Sequence, residues 1–314
     1  MAEKKYKVWI DCDPGVDDAA ALFIAAKMPE IEVVGVSTCA GNVEHRYTYK
    51  NARDLLQFAG LKVPVFAGAE APVIREPHHA KEIHGATGLS GKVLPEATAA
   101  HETTYAWDAL YEAAVAANGE LVLIFIGPLT NLSIALQKYP DLPTIAPRLI
   151  IMGGGVKYGN TTPAAEFNIY FDPEAAAHVF KAGFNLSMLG LDVTMQAELD
   201  RNALATIQKI AGEHGQFLHD CLSVTLDFLE SRGLKTVCMH DACTLLYLVY
   251  PDMFTSEMCG VFVETKGTHT YGKTVADLYS DYQYPEKNCD VVHGLDHAYF
   301  MRVFLDLLSQ YAKE

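Results

Sequence analysis

The stretch that decides the fold lies near the amino terminus and reads Asp11-Cys12-Asp13-Pro14-Gly15-Val16-Asp17-Asp18. Residues 7–10, directly before it, form a short apolar segment that predicts a β-strand, and residues 17–27, rich in alanine and leucine, predict a helix. Pro14 and Gly15 are typical of the turn between two such elements. The octet therefore places four aspartates at one junction between a strand and a helix.

The same alternation of strand and helix continues along the first two thirds of the chain. Further strands are predicted at residues 31–37, 63–66, 121–126, 149–152 and 186–191, with helical patterns at about 47–58, 107–117, from 131 and from 173. This order predicts an open sheet of mostly parallel strands, joined by right-handed crossovers and covered by helices on both faces. After Val193 the pattern is mainly helical, at 201–211, 216–229, 242–249 and 299–308, with one more strand at 261–264.

The 314 residues contain no linker rich in Ser, Gly or Pro and no internal repeat, so residues 1–314 are predicted to form a single α/β domain with a Rossmann-like core. Loops containing glycine follow the predicted strands. They are Pro14-Gly15, Gly41-Asn42, Gly127-Pro128 and Gly153-Gly154-Gly155. Because ligands of open parallel sheets bind beyond the carboxyl ends of the strands, the active site is expected among these loops.

Composition and charge exclude several classes of protein. Half of the residues are hydrophobic and a fifth are charged, as in a globular protein with a substantial core. The net charge of −15 disfavours a nucleic-acid-binding surface, which needs clustered Lys and Arg. No segment reaches the roughly 18 apolar residues of a membrane span, and the amino terminus lacks the pattern of a secretory signal. Seven cysteines without a Cys-x-x-Cys pair favour reduced thiols, so a cytoplasmic protein is predicted.

The aspartates of the octet need a positive partner. Successive strand side chains point to opposite sides, so Asp11 and Asp13 project together. Ionised carboxylates a few ångströms apart repel one another, and a divalent cation removes that cost. Acidic residues also favour helix amino termini, which explains Asp17 and Asp18 without a cation but leaves Asp11 and Asp13 unexplained. An all-oxygen ligand set predicts magnesium or calcium, and residue types alone do not separate the two.

A metal-dependent phosphohydrolase of the haloacid-dehalogenase type is the alternative enzyme, because its motif also starts with Asp-x-Asp at a strand end. That motif continues with Gly or a variable residue and then Thr or Val, whereas Pro14 and Gly15 follow here. It also has no second acidic pair at the spacing of Asp17 and Asp18. The octet therefore favours a different family.

The octet resembles the amino-terminal signature of the inosine-uridine preferring nucleoside hydrolases, Asp-x-Asp-Pro-Gly-x-Asp-Asp. Further segments resemble that family in the same order, namely Gly41-Asn42-Val43, His84-Gly85 with Gly88-Leu89, Gly127-Pro128-Leu129-Thr130-Asn131, Met152-Gly153-Gly154, Asn160, Glu166-Phe167-Asn168 and His240-Asp241. The resemblance implies a hydrolase that splits ribonucleosides into free base and ribose, with a role in nucleoside salvage. It also implies a homodimer or homotetramer with one calcium ion per subunit.

Residue roles follow from the resemblance, position by position. It implies that the calcium ion is held by Asp13, Asp18, Asp241 and the backbone carbonyl of Thr130, and that Asp13 is also the general base. Asp11 is implied as a support behind these ligands. The implied contacts to the substrate are Asp17, Asn42, His84, Met152, Asn160, Glu166, Asn168 and Asp241.

The chemistry of N-glycosidic hydrolysis asks for the same residue types. A metal lowers the pKa of a water molecule, and a carboxylate such as that of Asp13 removes its proton. Acidic groups around the sugar favour the positive charge that develops in the transition state. Glu166 and Asn168 lie two apart in a segment predicted to be extended, so both side chains are expected to reach one sugar.

A histidine is expected to assist the departing base. His240 precedes Asp241 at the start of an apolar helix, and the resemblance implies that it is a general acid or contacts the base. His84 is a weaker candidate for a base contact. Purine-specific members stack the base on tryptophans, but Trp9 and Trp107 do not match those positions. The chain is therefore predicted to have broad or pyrimidine-tolerant specificity.

A non-catalytic nucleoside- or ribose-binding protein is the second alternative, but it is expected to have lost at least one of the base, the metal ligands and the histidine. Cys12 and Cys39 are interpreted as packing residues, because nearby carboxylates oppose formation of a thiolate. In the helix at 216–229, Thr225 and Phe228 are the residues considered for the base pocket, although a core position is favoured for Phe228.

Overall fold

The structure is a computed structural model that describes residues 6–278 and 286–313, so the residues 1–5 at the amino terminus lie outside the described part. The strands in chain order are β1 Tyr6–Cys12, β2 Ile31–Thr38, β3 Val65–Ala67, β4 Leu121–Phe125, β5 Arg148–Met152, β6 Asn185–Leu189, β7 Glu198–Leu199, β8 Val237–Cys238, β9 Phe254–Cys259, β10 Val261–Val263, β11 Thr274–Ala276 and β12 Cys289–Leu295.

The helices lie between these strands and after them. They are α1 Val16–Lys27, α2 His45–Phe58, α3 Lys81–His84, α4 Ala106–Ala117, α5 Thr130–Lys138, α6 Leu142–Ile145, α7 Phe167–Phe171, α8 Pro173–Val179, α9 Leu191–Thr194, α10 Arg201–Ile210, α11 Gly212–Glu230, α12 Ala242–Val249 and α13 His297–Ser309. Two short 3₁₀ helices, Pro251–Met253 and Gln310–Lys313, complete the set. None of the described helices is long and apolar enough to cross a bilayer.

One eight-stranded sheet organises the chain, in the order β3-β2-β1-β4-β5-β6-β12-β9. All neighbouring strands in it are parallel except β12 and β9, which pair antiparallel at one edge. The strand order runs outward from β1 in both directions, β2 on one side and β4 on the other. The loops after β1, β2 and β4 therefore meet at a topological switch point, where open α/β sheets bind ligands.

Apolar residues cover both faces of this sheet, as the continuous hydrophobic runs predict. Val8, Ile10 and Cys12 of β1 belong to a core shared with α1, α12 and α13. Trp9 faces the opposite core, which includes residues of α4, α5 and α8, and its ring stacks on Phe66 with the centroids 5.4 Å apart. The mostly parallel α/β sheet with helices on both faces is confirmed.

The sequence-based prediction was wrong about the far edge of the sheet. β9 and β12 were not predicted, and the predicted strand at 261–264 forms β10, which pairs with β11 in a separate two-stranded ribbon. The edge strand β9 is exposed along most of its length, so its sequence is polar and lacks the apolar run of a buried strand. β12 has only a short apolar centre, and it reaches the sheet through pairing over long sequence distances.

Candidate active site

Asp13 lies directly after β1, and Asn42 holds it in place. The backbone N–H of Asn42 donates to Oδ2 of Asp13 over 2.7 Å. The side-chain amide of Asn42 donates to the main-chain oxygen of Asp13 at 3.1 Å and to Oδ2 of Asp18 at 3.3 Å. One loop after β2 therefore fixes two carboxylates of the octet.

Two glycines leave room for the Asp13 carboxylate. A Cβ atom on Gly127 would lie 2.6 Å from Oδ1 of Asp13, and one on Gly41 would overlap Oδ2. Neither position has room for a side chain, because real Cβ atoms essentially never come closer than 3.0 Å to another atom. Gly41 and Gly127 follow different strands, so the carboxylate lies between two backbones where the carboxyl ends of β2 and β4 flank that of β1.

Three other carboxylates meet beside Asp13. Oxygen atoms of Asp17, Asp18 and Asp241 all lie within 4.8 Å of one another, and Asp18 and Asp241 are buried. Asp18 also accepts hydrogen bonds from the backbone N–H groups of Gly15 at 2.8 Å and Asp13 at 3.3 Å. The turn into α1 is therefore ordered by the same carboxylate that faces the cluster.

Burial makes these carboxylates costly to ionise. It raises the pKa of Asp18 to about 7 and the pKa values of Asp13 and Asp241 well above their usual range, and neighbouring aspartates raise all three further. Buried charges of one sign are stable when a cation lies among them. Since every side chain of the cluster offers oxygen, the donor set fits a hard divalent cation.

Asp11 lies behind the cluster and contacts three neighbouring side chains. It accepts hydrogen bonds from the hydroxyl of Ser37 and, at 2.7 Å, from the amide of Asn131. The thiol of Cys39 lies 3.9 Å from its other oxygen. Burial raises the pKa of Asp11 to about 7, and these hydrogen bonds oppose the shift. This placement fits the supporting role that the resemblance implies.

Asn131 is a supporting residue to which the sequence analysis gave no role. Besides Asp11, its amide group donates to the main-chain oxygen of Thr38 at 3.0 Å and accepts from the N–H of Ala69 at 2.8 Å. It thereby ties the first turn of α5 to the ends of β1, β2 and β3. The only signal in the sequence is an amide residue three positions after Pro128, close to the end of β4.

The structure gives Thr130 a different set of partners from the one that the resemblance implies. Thr130 is the first residue of α5, so its carbonyl points along the helix toward the N–H four residues later. Its hydroxyl donates to Asp172 over 2.7 Å. A backbone oxygen engaged in a helix is a poor metal ligand, so the position of Thr130 in α5 argues against its carbonyl as a ligand.

The prediction that Glu166-Phe167-Asn168 is extended was wrong. Glu166 is the N-cap of α7 and accepts from the N–H groups of Asn168 at 2.9 Å, Ile169 at 3.1 Å and Gly154 at 2.8 Å. Burial raises its pKa to about 7. An acidic residue directly before a helix accepts hydrogen bonds from the unpaired N–H groups of its first turn. A helix of five residues is too short to be predicted from hydrophobic periodicity.

Asn168 and Asn160 differ in how firmly they are held. The buried amide of Asn168 donates to the main-chain oxygens of Ile126 at 2.9 Å and Met152 at 3.1 Å, which links the ends of β4 and β5. Asn160 is exposed, and its side-chain oxygen accepts from the N–H of Phe167 at 3.0 Å. Both residues therefore border the same end of the sheet, one inside it and one on its rim.

His84 and His240 come from distant parts of the chain, and the charge of Asp17 acts on both rings. Nδ1 of His84 accepts from the backbone N–H of Val16 at 3.2 Å, and Nδ1 of His240 lies 2.8 Å from the hydroxyl of Thr194. Burial lowers the pKa of both rings, and the charge of Asp17 opposes the shift in both. His240 lowers the pKa of His84 further, so the two rings lie close enough to interact electrostatically.

Other expected positions have structural roles. The buried thiols of Cys12 and Cys39 have pKa values raised well above their usual range by burial. The hydroxyl of Thr225 donates to the main-chain oxygen of Ile83 at 3.2 Å, so it tethers α11 to the segment that carries His84. The expectation that Phe228 lies in the core was wrong, because it is half-buried under the guanidinium of Arg232, 4.3 Å from its ring, and belongs to neither core.

Comparison with known proteins gives a consistent result. A family model described as inosine-uridine preferring nucleoside hydrolase matches residues 8–302. Over 302 residues the chain is 39% identical to a non-specific ribonucleoside hydrolase, RihC, of Escherichia coli, covering 96% of this chain and 98% of the relative. Over 305 residues it is 37% identical to a pyrimidine-specific ribonucleoside hydrolase, RihA, of Photobacterium profundum, covering 96% and 98%.

Solved structures show the same likeness. A purine-preferring ribonucleoside hydrolase from Gardnerella vaginalis superposes with a TM-score of 0.91 at 28% identity, covering 98% of this chain and 99% of the other. A plant nucleoside hydrolase, PpNRh1, also gives a TM-score of 0.91, at 30% identity and covering 97% and 99%.

Proposed function

Because this chain belongs to the inosine-uridine preferring nucleoside hydrolase family and so hydrolyses the N-glycosidic bond of ribonucleosides, we propose that the carboxylates around Asp13 form its catalytic centre. The observation that carries the proposal is the meeting of Asp17, Asp18 and Asp241 beside the restrained carboxylate of Asp13. We also propose that residues 1–314 form a single domain that carries this site.

Asp13 is the general base of the proposal. Its Oδ2 is engaged by the N–H of Asn42, whereas Oδ1 has no hydrogen-bond partner among the described residues. Burial raises its pKa, which makes its carboxylate a stronger acceptor for the proton of an attacking water than an exposed aspartate. The restraint by Gly41 and Gly127 limits the positions that the carboxylate can adopt.

Asp13, Asp18 and Asp241 are the proposed ligands of a divalent cation, and Asp17 lies beside Asp18 and Asp241. A cation bound there supplies Lewis acidity that makes the attacking water more acidic. We propose calcium, because its larger and less regular oxygen shell suits several carboxylates crowded at a turn. One cation per subunit fits a single cluster of this kind in the described residues.

The ribose is proposed to lie against the acidic and amide groups that border the cluster. Negative groups there stabilise the positive charge of an oxocarbenium-like sugar more than the neutral substrate, which lowers the barrier. Asp17 is half-buried and so remains open to a ligand. The proposed contacts are Asp17, Asn42, Met152, Asn160, Glu166, Asn168 and Asp241.

His240, with His84 as a second contact, is proposed to assist the departing base. Replacing His240 with Ala is expected to reduce kcat by about 10²-fold or more for uridine and inosine, the scale of one positioned acid. The loss should be small for p-nitrophenyl ribofuranoside, because p-nitrophenolate departs without a proton. Steady-state kinetics on the three substrates measures the difference.

The matched control is His269→Ala, which removes an exposed histidine that has no proposed role in the site. It is expected to have wild-type rates on all three substrates. An equal loss on all substrates in His240→Ala would contradict the proposed role in leaving-group departure.

The chain is proposed to accept both pyrimidine and purine nucleosides, as a homodimer or homotetramer in the cytoplasm that serves nucleoside salvage. Its similarity to both a non-specific and a pyrimidine-specific relative supports this breadth. Incubation with uridine, cytidine, inosine and adenosine, followed by quantification of free base and ribose, tests it. We expect release from uridine and inosine at least; release of phosphate from a phosphoester with no base release from any nucleoside would overturn the proposal.

A further inference from the structure

The imidazole of His240 is fixed by a side chain outside the carboxylate cluster. Its Nδ1 lies 2.8 Å from the hydroxyl oxygen of Thr194, the last residue of α9. Thr194 is fully buried, and among the described residues its hydroxyl makes no other hydrogen bond. The Nε2 atom of His240 has no partner in the described part of the chain, and the residue is half-buried.

The direction of this hydrogen bond follows from the need to satisfy a buried hydroxyl. A neutral imidazole has one N–H donor and one acceptor nitrogen, and a hydroxyl can play either part. If Nδ1 donated, the hydroxyl hydrogen of Thr194 would have no acceptor in a buried environment, which is costly. If the hydroxyl donates, both groups are satisfied. Nδ1 then carries the lone pair and Nε2 carries the hydrogen.

His84 also accepts a hydrogen bond on Nδ1, and here the direction of the bond is certain. The backbone N–H of Val16 can only donate, so Nδ1 of His84 is the acceptor at 3.2 Å, and Nε2 carries the hydrogen of the neutral ring. Two histidines from distant parts of the chain therefore have the same tautomer, each set by a donor on Nδ1.

We propose that Thr194 is a positioning residue that orients the ring of His240 and holds it in the tautomer with hydrogen on Nε2. The inference rests on the proposed role of His240 toward the departing base. Nε2–H then donates a hydrogen bond to an acceptor atom of the base, where negative charge develops as the bond from C1′ to the base breaks. Without the hydroxyl, the ring can rotate or take the other tautomer, and the donor is lost for part of the time.

Two variants of Thr194 separate the hydroxyl from the shape of the side chain. Thr194→Val keeps the shape and removes the donor, whereas Thr194→Ser keeps the donor and removes a methyl group. We expect Thr194→Val to lower kcat for uridine and inosine about tenfold, a fraction of what a positioned acid contributes, with KM changed less than kcat. The rate on p-nitrophenyl ribofuranoside should stay near that of the wild type, and Thr194→Ser should restore the rates on nucleosides.

The tautomer itself is read by ¹⁵N NMR of the imidazole nitrogens in the full-length protein, with His240→Gln used to assign the signals. We expect His240 to show hydrogen on Nε2 in the wild type and Thr194→Ser, and a shift toward the other tautomer in Thr194→Val. Hydrogen on Nδ1 in the wild type overturns the inference, as does an equal loss of Thr194→Val on all three substrates. This NMR result is independent of turnover, so it stands apart from a failure of the proposed function, which His240→Ala tests.

Discussion

Replacing Asp13 with Asn is expected to lower kcat by roughly 10³-fold or more on every nucleoside, within the range that a general base contributes. The amide oxygen of Asn can still accept the hydrogen bond that the N–H of Asn42 gives to Oδ2 of Asp13, and its size fits between Gly41 and Gly127. An amide cannot take a proton from water at any practical pH. The substitution therefore removes the proton acceptor and keeps the packing.

Steady-state rates of purified protein, with circular dichroism to verify the fold, measure this effect. Asp227→Asn is the matched control, because Asp227 is exposed and only pairs with Arg201 on the surface. It should have wild-type turnover. If Asp13→Asn turned over at a near-normal rate, Asp13 would not be the base, and Asp17 would be the next carboxylate to examine.

Removal of divalent cations is the second prediction of large effect. We expect a chelator to abolish turnover and to lower thermal stability much more at pH 8 than at pH 5. Burial raises the pKa values of Asp11, Asp18 and Glu166 to about 7, above those in an unfolded chain. The folded protein therefore binds protons more tightly than the unfolded chain between about pH 4 and 7. This contribution to stability is complete below about pH 4 and is lost as the pH rises through 7.

A cation that binds only the folded protein restores stability where the carboxylates are ionised. Adding calcium at pH 8 should raise the Tm of the chelated protein by more than about 5 °C, the size of a few kcal/mol for a chain of this length. At pH 5 the increase should be much smaller. Differential scanning calorimetry with calcium, magnesium or chelator at both pH values measures it.

Asp241→Asn is the variant that links this stability to the cluster. It removes one of the charges that meet there, so the response of Tm to calcium should shrink. A Tm that is the same with chelator and with calcium at pH 8 would contradict a cation site among these carboxylates. A response to magnesium alone would instead identify the ion as magnesium.

Much of this fold can be predicted from local patterns, because each buried parallel strand is a continuous apolar run followed by a loop with glycine. The predicted strands at 31–37 and 121–126 lie within one residue of β2 and β4. β9 and β12 were missed because an exposed edge strand and a strand with only a short apolar centre carry little apolar signal, and their pairing joins distant segments.

The site could be predicted less completely. The octet correctly indicated a carboxylate cluster, but local sequence did not show that Glu166 is a helix cap or that Asn131 binds Asp11. Those contacts depend on which strand ends become neighbours. Thr194 was missed for the same reason, because its role exists only through a histidine 46 residues later in the chain.

The narrow space around Asp13 bears on how such enzymes can be found or built. Gly41 and Gly127 are separated from Asp13 in sequence, yet both backbones must come close before that carboxylate has its position. A search for the octet alone would therefore also retrieve chains with an aspartate at the same turn but a side chain in the way. Likewise, grafting the octet onto another scaffold would transfer the charges but not the narrow space around Asp13, unless two glycine-containing segments were designed to flank it.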